Sequence, residues 1–563
     1  ATETARPLQI VDLEPEIIAE ILEYVNDESP GTIPALSVVS NYFYHAVKLV
    51  KYRRATVNWS DKHVSWIVSD RKYILQRPNQ ASTFNLDQAG VHCKDSEFLQ
   101  RVRHLTIGPS ETRSKKNQSV ADDELVEILT KASNIKALTW KPTFSPSAGA
   151  VEALEKYHPK AELRISRITI PQSSYNCDPE RIPLAASALL KSTSLRSLGI
   201  RRYRSGDDIT SFDYRLIISN AENLEFVSVI SDGPETADED NSRTEGRKKL
   251  RHLTLDGWQL SQDTVDYWSQ YINLTELQSF KCSRGSLSTS YFVTAADLLP
   301  GLKHVSLNLG SQKCSTETTE AVQRYISSCS PLKTLSLWSW IGRVSLQSIL
   351  QQHGSTLEVL RLHEREEIGD DPDGQKFISL ADVHSIRASC PRLKSFTFDL
   401  KRQSKQPRAN DYQPILAELV KMQLDTLEIY LDSGLLFMYT LNRWNDSNLK
   451  HVRGGNFGRG DTNDPGRNKV HPPTSADDIC TFTGEMWKSI FGSRISGPRM
   501  LDLKFGEWER NSLPLLTDPY GEPYADIRVW TRAKPHQRDD KPGECSVEMK
   551  GCGGKHRRKW TTD

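Results

Sequence analysis

The amino-acid sequence predicts an α/β fold: a solenoid with parallel strands on a concave face and helices on a convex face, preceded by a small all-α segment. Three observations predict it. A six-residue apolar phrase recurs along most of the chain, helical patterns separate its copies, and two helical stripes precede residue 60. Because 563 residues exceed what one compact core accommodates, we expect more than one structural unit.

The recurring phrase carries apolar residues at its first, fourth and sixth positions, and alternation over its second half is typical of a strand. Fourteen copies begin between residues 102 and 500, most of them 25–36 residues apart. They are VRHLTI (102–107), IKALTW (135–140), ISRITI (165–170), LRSLGI (195–200), LEFVSV (224–229), LRHLTL (250–255), LQSFKC (277–282), LKHVSL (302–307), LKTLSL (332–337), LEVLRL (357–362), LKSFTF (393–398), LDTLEI (424–429), LKHVRG (449–454) and MLDLKF (500–505).

Helical patterns fill the intervals between the phrases. In TTEAVQRYISSC the apolar residues Ala321, Val322, Tyr325 and Ile326 share one helical face. A strand and a helix that repeat at this spacing resemble the leucine-rich repeat. The alternative, unrelated strands of a doubly wound sheet, would not keep one apolar spacing. The resemblance implies neighbours that stack into one long core, with a concave surface suited to binding a protein.

The N-terminal segment predicts a helical hairpin. Ile17, Ile18, Ile21 and Leu22 make one helical stripe, and a second runs from residue 36 to residue 50. A hairpin of this size has too little core to stand alone. It must therefore pack on the repeats or on a partner.

At these residues the sequence resembles the F-box family, through LEPEIIAEIL (13–22) and LSVVSNYFYHAV (36–47). The resemblance implies that the hairpin binds a Skp-type adaptor, which bridges to a cullin–RING ubiquitin ligase, while the repeats hold a substrate protein. Glu14 separates Leu13 from Pro15, where the family usually has the pair adjacent. By position, the adaptor-binding residues are Leu13, Pro15, Ile17, Ile18, Ile21, Leu22, Leu36, Val39 and Phe43. For Ile18, Leu22 and Phe43, a place in the hairpin's own core is an equally open interpretation.

These patterns divide the chain into five parts. An N-terminal arm (1–7) precedes the F-box helices (8–55), and a linker or first irregular repeat (56–100) leads to the leucine-rich repeats (101–510). The repeats contain a Gly- and Asn-rich stretch, expected to be a flexible insertion at about 454–478. A C-terminal cap ending in a solvated basic tail (511–563) completes the chain.

Two groups of side chains are expected on the concave face. The first group comprises Lys141, Arg167 and Arg201, predicted at equivalent places in three adjacent repeats. These basic side chains are suited to binding an acidic or phosphorylated segment. Ordinary solvated charge is the alternative. The second has the aromatic and arginine content of binding hot spots; it comprises Trp338, Trp340, Arg361, His363, Glu428, Tyr430 and Arg453. Trp340 is also compatible with the core.

Composition and motifs limit the function classes. Lys plus Arg number 73 against 72 acids, which argues against general nucleic-acid binding. Nine cysteines without paired spacing indicate reduced thiols in the cytoplasm or nucleus. We find no apolar run that could span a bilayer, no secretory signal and no catalytic, cofactor-binding or metal-binding motif.

The sequence therefore predicts a non-catalytic substrate-recognition subunit of an SCF-type ubiquitin ligase, without cofactor or metal. Its expected partners are the Skp-type adaptor and a protein substrate, with no nucleic acid and no membrane. The first alternative is a scaffold of the same architecture that assembles with the adaptor without ubiquitin transfer. The second, a hydrolase or transferase on a repeat frame, lacks a supporting constellation of residues.

Overall fold

The chain forms two compact units, residues 1–257 with 267–274 (unit 1) and residues 258–266 with 275–563 (unit 2). The computed structural model describes residues 13–28, 36, 39–51, 53–59, 63–68, 71–76, 96–108, 115–170, 181–202, 214–231, 249–258, 260–283, 288–310, 315–364, 377–401, 408–431, 476–492, 499–505, 529–535, 545–551 and 558–561.

Unit 1 is an α/β unit with a mostly parallel sheet. Strands β1–β3 are antiparallel neighbours, and parallel pairing runs from β1 to β4 and on in chain order to β9. Its strands are β1 (Arg54–Trp59), β2 (His63–Val68), β3 (Arg71–Gln76), β4 (His104–Ile107), β5 (Ala137–Trp140), β6 (Glu162–Ile170), β7 (Leu195–Arg202), β8 (Phe226–Ser231) and β9 (His252–Asp256). Its helices are α1 (Pro15–Glu28), α2 (Asn41–Lys51), α3 (Ser96–Arg101), α4 (Lys115–Lys131), α5 (Ala148–Tyr157), α6 (Arg181–Lys191) and α7 (Tyr214–Asn220). The residues of helix α8 (Gln262–Tyr271) are divided between the two units.

Unit 2 repeats the alternation of strand and helix. Parallel pairing runs in chain order from β10 to β16, and antiparallel pairing continues through β17, β18 and β19. Its strands are β10 (Ser279–Cys282), β11 (His304–Asn308), β12 (Thr334–Trp338), β13 (Val359–His363), β14 (Ser395–Leu400), β15 (Thr426–Leu431), β16 (Met500–Phe505), β17 (Val529–Pro535), β18 (Cys545–Gly551) and β19 (Arg558–Thr561). Its helices are α9 (Thr289–Leu298), α10 (Thr316–Ser328), α11 (Leu346–His353), α12 (Leu380–Ser389), α13 (Gln413–Lys421) and α14 (Ala476–Phe491).

The predicted α/β class with a mostly parallel sheet is confirmed. Strands coincide with thirteen of the fourteen phrases, because the apolar positions are the ones the sheet buries against its helices. The remaining copy, at 449–454, lies outside the described residues. In the copy that starts at Leu332, for example, Leu332, Leu335 and Leu337 are all fully buried. Helices cover this side of the sheet: the ring of Phe280 in β10, for example, stacks on Tyr291 of α9.

Several features differ from the predicted layout. The sheet begins at Arg54, well ahead of the repeats expected from residue 101. Within the predicted basic tail, residues Arg558–Thr561 pair with β18 as strand β19. Most of the predicted insertion lies outside the described residues. No described helix has the length and apolarity needed to cross a bilayer.

Serine side chains start many of the helices. The hydroxyl of Ser147 accepts a hydrogen bond from the backbone N–H of Ala150 and so caps α5. The same arrangement satisfies an otherwise unpaired N–H group at the start of four helices in unit 2. The residues that provide it are Ser288, Ser315, Ser345 and Ser379.

Two buried histidines join the ends of neighbouring helices. Nε2 of His158 lies 2.8 Å from the carbonyl oxygen of Leu129 in α4. In unit 2, Nε2 of His353 lies 3.0 Å from the carbonyl oxygen of Ile326 in α10. Each ring satisfies a C-terminal carbonyl that the helix itself leaves unpaired. Burial lowers the pKa of both histidines, which favours the neutral ring.

A β-bulge in β6 brings two backbones unusually close. Ser166 and Arg167 together stand opposite Gly199 of β7. A Cβ atom at position 199 would lie 1.9 Å from the carbonyl oxygen of Ser166. Only glycine fits there without backbone movement.

We expect Gly199→Ala to lower the free energy of unfolding by about 1–3 kcal/mol, the usual cost of overpacking. Gly149→Ala is the matched control, because a Cβ atom there meets nothing closer than 3.8 Å within helix α5. That change should instead stabilise the protein by about 0.5–1 kcal/mol. Urea unfolding of both variants checks the pair, and equal transition midpoints would contradict the close approach.

Candidate functional site

The N-terminal hairpin closes its own small core. Ile18, Ala19 and Leu22 of α1 pack against Ala46, Val47 and Val50 of α2, and all six are buried. Of the predicted adaptor-binding residues, Ile18 and Leu22 thus belong to the core. Three further ones pack partly against this core, namely Leu13, Leu36 and Phe43. The side chain of Pro15 lies outside the described residues.

The remaining predicted adaptor-binding residues are apolar side chains left in solvent. Ile17 is 48% exposed, Ile21 is 43% exposed and Val39 is 65% exposed. Ile17 and Ile21 are one helical turn apart, so they lie on the same face of α1. Tyr44 of α2 is exposed as well. The hairpin therefore presents apolar surface that its own core does not use.

Helix α1 is joined to the first strands of unit 1 by a semi-buried ion cluster. Oε2 of Glu23 lies 2.5 Å from Nη1 of Arg53, and Oε1 lies 3.0 Å from Nε2 of His104 at the start of β4. Arg53 also donates to the carbonyl oxygen of Ala19 at 3.2 Å. The hydrogen bond with His104 and the Arg53 guanidinium together outweigh burial and lower the pKa of Glu23 to about 2.

The second candidate surface lies in unit 2, on the side of the sheet opposite the buried leucines. We call it the polar face and define it by the fifth residue of each phrase, since these residues stand side by side in neighbouring strands. They are Lys281, Ser306, Ser336, Arg361, Thr397 and Glu428.

A buried aromatic and ionic cluster lies beside the polar face, at the carboxyl ends of strands β12 to β15. Nδ1 of His363 lies 2.6 Å from Oδ1 of Asp399. The His363 ring stacks on Tyr430 with centroids 3.8 Å apart and meets the Trp338 ring edge-on at 4.6 Å. Within the described part of the chain, Nε2 of His363 has no hydrogen-bond partner.

Glu364 and Ser339 support this cluster from the adjoining loops. The backbone N–H of Glu364 donates to Oδ2 of Asp399 at 2.5 Å, and its carboxylate accepts from the N–H of Ile341. Burial raises the pKa of Glu364 to about 7. Ser339 has a φ of 55° and donates its N–H to the His363 carbonyl oxygen at 2.7 Å.

The far end of the polar face neutralises its own charges. Nζ of Lys504 pairs with Glu428 and donates to the Tyr430 hydroxyl at 2.8 Å. Although burial opposes the change, the Lys504 ammonium and its hydrogen bond hold the pKa of Glu428 below its ordinary value. One strand further on, Arg532 binds Asp502 through two hydrogen bonds of 2.7 and 2.8 Å.

These contacts correct the predicted substrate-binding group. Trp340, His363 and Tyr430 are buried, so the expectation that they face a partner is wrong. Strand β12 ends at Trp338, and the left-handed backbone of Ser339 breaks the alternation that placed Trp340 outside. Trp338 is half-buried, and Arg361 is exposed. Glu428 is largely occupied by Lys504, and Arg453 lies outside the described residues.

The basic group predicted in unit 1 does not form one row. Lys141 and Arg167 are exposed, whereas Arg201 is half-buried and pairs in register with Thr169. Arg167 instead lies in the bulge of β6, opposite Gly199. The three residues therefore lack the equivalent placement expected of them.

Lys281 is an exposed residue of the polar face that the prediction missed. The signal was present, because Lys281 has the same place in LQSFKC as Arg361 has in LEVLRL. Asp399 and Lys504 were missed as well. Their role depends on side chains of adjacent strands, which no single phrase reveals.

The chemical groups of this cluster can be compared with those of metal and hydrolase sites. Among the described residues, no three His, Cys, Asp or Glu side chains are placed to hold a metal ion. Oγ of Ser339 and Nε2 of His363 are both without a hydrogen bond to a described residue, so they do not bond to each other. In the described part of the chain, Ser339 is thus not aligned with the His363–Asp399 pair as the nucleophile of a hydrolase triad.

Comparison with known proteins adds no relative, since the chain matches no family model and no curated protein. Any proposal about function depends on the two surfaces described above. These are the exposed apolar residues of the hairpin and the polar face of unit 2.

We expect Glu23→Gln to lower the free energy of unfolding by about 3 kcal/mol, because it leaves the buried Arg53 guanidinium without a carboxylate. Glu20→Gln on the same helix is the control and should have a much smaller effect, since Glu20 is 60% exposed beside Arg103. Denaturant unfolding measures both. Because the Glu23 pKa is lowered from 4.5 to about 2, its contribution is complete above pH 4.5 and is lost as the pH falls towards 2.

Glu364→Gln should raise the free energy of unfolding, the opposite of the change expected for Glu23→Gln. Between its ordinary value of 4.5 and about pH 7, Glu364 holds a proton in the folded state that the unfolded chain has released. The stability of the natural protein therefore falls as the pH rises through this window. We expect the variant to match it near pH 4 and to exceed it by roughly 1–3 kcal/mol at pH 8.

Thermal unfolding across this pH range tests the expectation for Glu364. Glu358→Gln, beside the same strand, controls for the loss of one negative charge. A stability difference that does not change with pH would contradict the assignment.

Proposed function

We propose that this chain is the substrate-recognition subunit of an SCF-type cullin–RING ubiquitin ligase. In this proposal the hairpin of α1 and α2 is an F-box that binds a Skp-type adaptor. The strand–helix units are leucine-rich repeats of a solenoid, and they hold the substrate protein. The chain itself contributes no catalytic residue, no cofactor and no metal.

The observation that carries the proposal is the exposure of Ile17, Ile21 and Val39 beside a completed hairpin core. Single exposed apolar residues, such as Leu184, are normal on a protein surface, but a group of them on one helical face, such as Ile17 and Ile21, marks an interaction site. The F-box resemblance of residues 13–22 and 36–47 supplies the identity of that partner.

The cluster around Glu23 supports the same proposal. An adaptor can position a substrate only if the binding hairpin is held by the body that follows it. Glu23, Arg53 and His104 connect α1 to the first strands of unit 1 by charged hydrogen bonds. A receptor of this kind acts by proximity, since it raises the effective concentration of a substrate lysine near the conjugating enzyme.

The proposal locates the protein in the cytoplasm, the nucleus or both, without nucleic-acid or membrane partners. The five described cysteines are buried free thiols, which is in keeping with a reducing compartment. The alternative of the same architecture is a scaffold that binds the adaptor without ubiquitin transfer. The presence of cullin in the assembly distinguishes the two.

We expect Ile17→Asp, Ile21→Asp and Val39→Asp each to weaken binding of the purified Skp-type adaptor by at least about ten-fold, the effect of losing a buried apolar contact at an interface. Calorimetric titration with the full-length chain gives the affinities. Leu184→Asp is the control, because Leu184 is a 61% exposed apolar residue on α6, outside the hairpin. Its adaptor affinity should be unchanged.

Affinity capture from cell extract then decides between receptor and scaffold. The receptor requires cullin to be recovered with the adaptor, and to disappear together with it in the Ile17→Asp variant. Adaptor without cullin would favour the scaffold. Adaptor binding that none of the three hairpin substitutions weakens would overturn the assignment of the hairpin.

A further inference from the structure

The fifth positions of the phrases in unit 2 form a row in which charge is unevenly distributed. Lys281, Ser306, Ser336 and Arg361 stand side by side on four consecutive strands, β10 to β13. The two outer residues are long cations, and the two inner ones are short hydroxyl side chains. The outer Cα atoms are about 14 Å apart, three interstrand steps of about 4.8 Å.

Both cations are exposed. Neither Lys281 nor Arg361 forms a hydrogen bond or ion pair with any described residue. Arg361 is attracted at longer range to Glu428, whose carboxylate is already paired with Lys504. Long side chains can lean inward over the serines, so both can reach one bound segment.

The surroundings reinforce the positive charge. Lys303 and Lys333 stand at the entry of the two middle strands, and Glu358 stands at the entry of β13. His304, in β11, responds to this field. Burial, followed by the Lys333 and Lys303 ammonium groups, lowers its pKa, and the opposing effect of Glu358 is smaller. The first half of the polar face thus retains net positive charge, whereas the far half is internally neutralised.

We infer that Lys281 and Arg361 form the specificity-determining pair of the substrate surface, and that they hold an acidic peptide segment of the partner protein across Ser306 and Ser336. This inference rests on the proposed function and adds the chemical class of the substrate. The carboxylates of the segment pair with the two cations, and arginine can do so through two parallel hydrogen bonds. Ser336 is buried and Ser306 is half-buried, so these short side chains form the floor between the two cations.

Trp338 supplies an apolar contact next to this pair. It stands opposite Asn308 and His363 in the next row, and its half-buried ring leaves one side accessible. An aromatic or aliphatic side chain two residues from a carboxylate in an extended peptide would lie on the same face of that peptide as the carboxylate. The segment therefore combines acidic and apolar residues.

Fluorescence anisotropy with the full-length chain tests the inference. The probe is a fluorescein-labelled peptide of alternating Glu-Gly and Phe-Gly pairs, and its counterparts carry Gln or Lys in place of Glu. We expect Lys281→Gln and Arg361→Gln each to weaken binding of the Glu peptide about three- to five-fold, and the double variant by at least about ten-fold, as for partly exposed ion pairs. The effect should shrink at high salt.

Matched variants separate binding from folding. Arg392→Gln removes an exposed arginine from the turn between α12 and β14 and should leave peptide affinity unchanged. The charge-reversed pair, Lys281→Glu with Arg361→Glu, should prefer the Lys peptide to the Glu peptide. Because both cations are exposed, all these variants should keep the thermal unfolding temperature of the natural protein.

The outcomes are distinct from those that test the adaptor. The inference is wrong if the Gln peptide binds as tightly as the Glu peptide, if the double Gln variant is unaffected, or if no acidic peptide binds at millimolar concentration. Peptide binding with the expected pattern, without adaptor capture, would leave this surface intact and refute the ligase proposal. Adaptor capture without the preference for the Glu peptide would refute the acidic-peptide surface and leave the ligase proposal standing.

Discussion

The in-register pairing of parallel strands is the constraint on which both units depend. Each strand buries alternate residues against the helices, so a slip of one residue would place its leucines on the opposite face. The phrase prevents this slip, because its first, fourth and sixth positions fit only one register. Parallel neighbours also need a crossover of a dozen or more residues. The helices provide that crossover, and serine caps fix where several of them start.

The same register determines what the polar face can do. Because equivalent positions stand side by side, one residue of each strand contributes to a continuous row across the sheet. At Glu428 and Asp502, ion pairs with Lys504 and Arg532 of neighbouring strands neutralise the negative charge. In the other part of the row, Lys281, Ser306, Ser336 and Arg361, the nearest acidic residue within the row is Glu428, which lies two strands beyond Arg361 and is already paired with Lys504. Exposed positive charge therefore concentrates in the first half of the polar face.

The sequence predicted the strands well because burial is periodic. Each phrase contains its own evidence, and Leu332, Leu335 and Leu337 show the same burial that the spacing implied. The antiparallel strands β2, β3 and β17–β19 carry no such phrase and were not foreseen. Helix α1 was predicted from its stripe, but the stripe alone could not tell buried Ile18 from exposed Ile17. That distinction depends on where α2 packs.

The candidate site was harder to predict for a different reason. Alternation correctly assigns a side chain to one face of the sheet, but exposure also depends on neighbours in adjacent strands. His363 points away from the leucines as expected, and yet Asp399 and Tyr430 enclose it. Trp340 fails for a backbone reason, because Ser339 ends the strand before it. Arg361 met the expectation, since the side chains on either side of it in the row, Ser336 and Thr397, are too short to cover it.

If an acidic segment binds here as inferred above, the buried cluster contributes to that binding indirectly, through preorganisation. Trp338 meets His363 edge-on, and His363 is fixed by Asp399 and Tyr430, so the indole is ordered before a partner arrives. Lys281 and Arg361 are not fixed in this way, and ordering each long side chain costs about 0.5–1.5 kcal/mol. The entropic cost of ordering these two side chains therefore offsets part of the attraction between them and an acidic segment. Charge then determines which segment binds and how fast, whereas the rigid aromatic edge determines how long it stays.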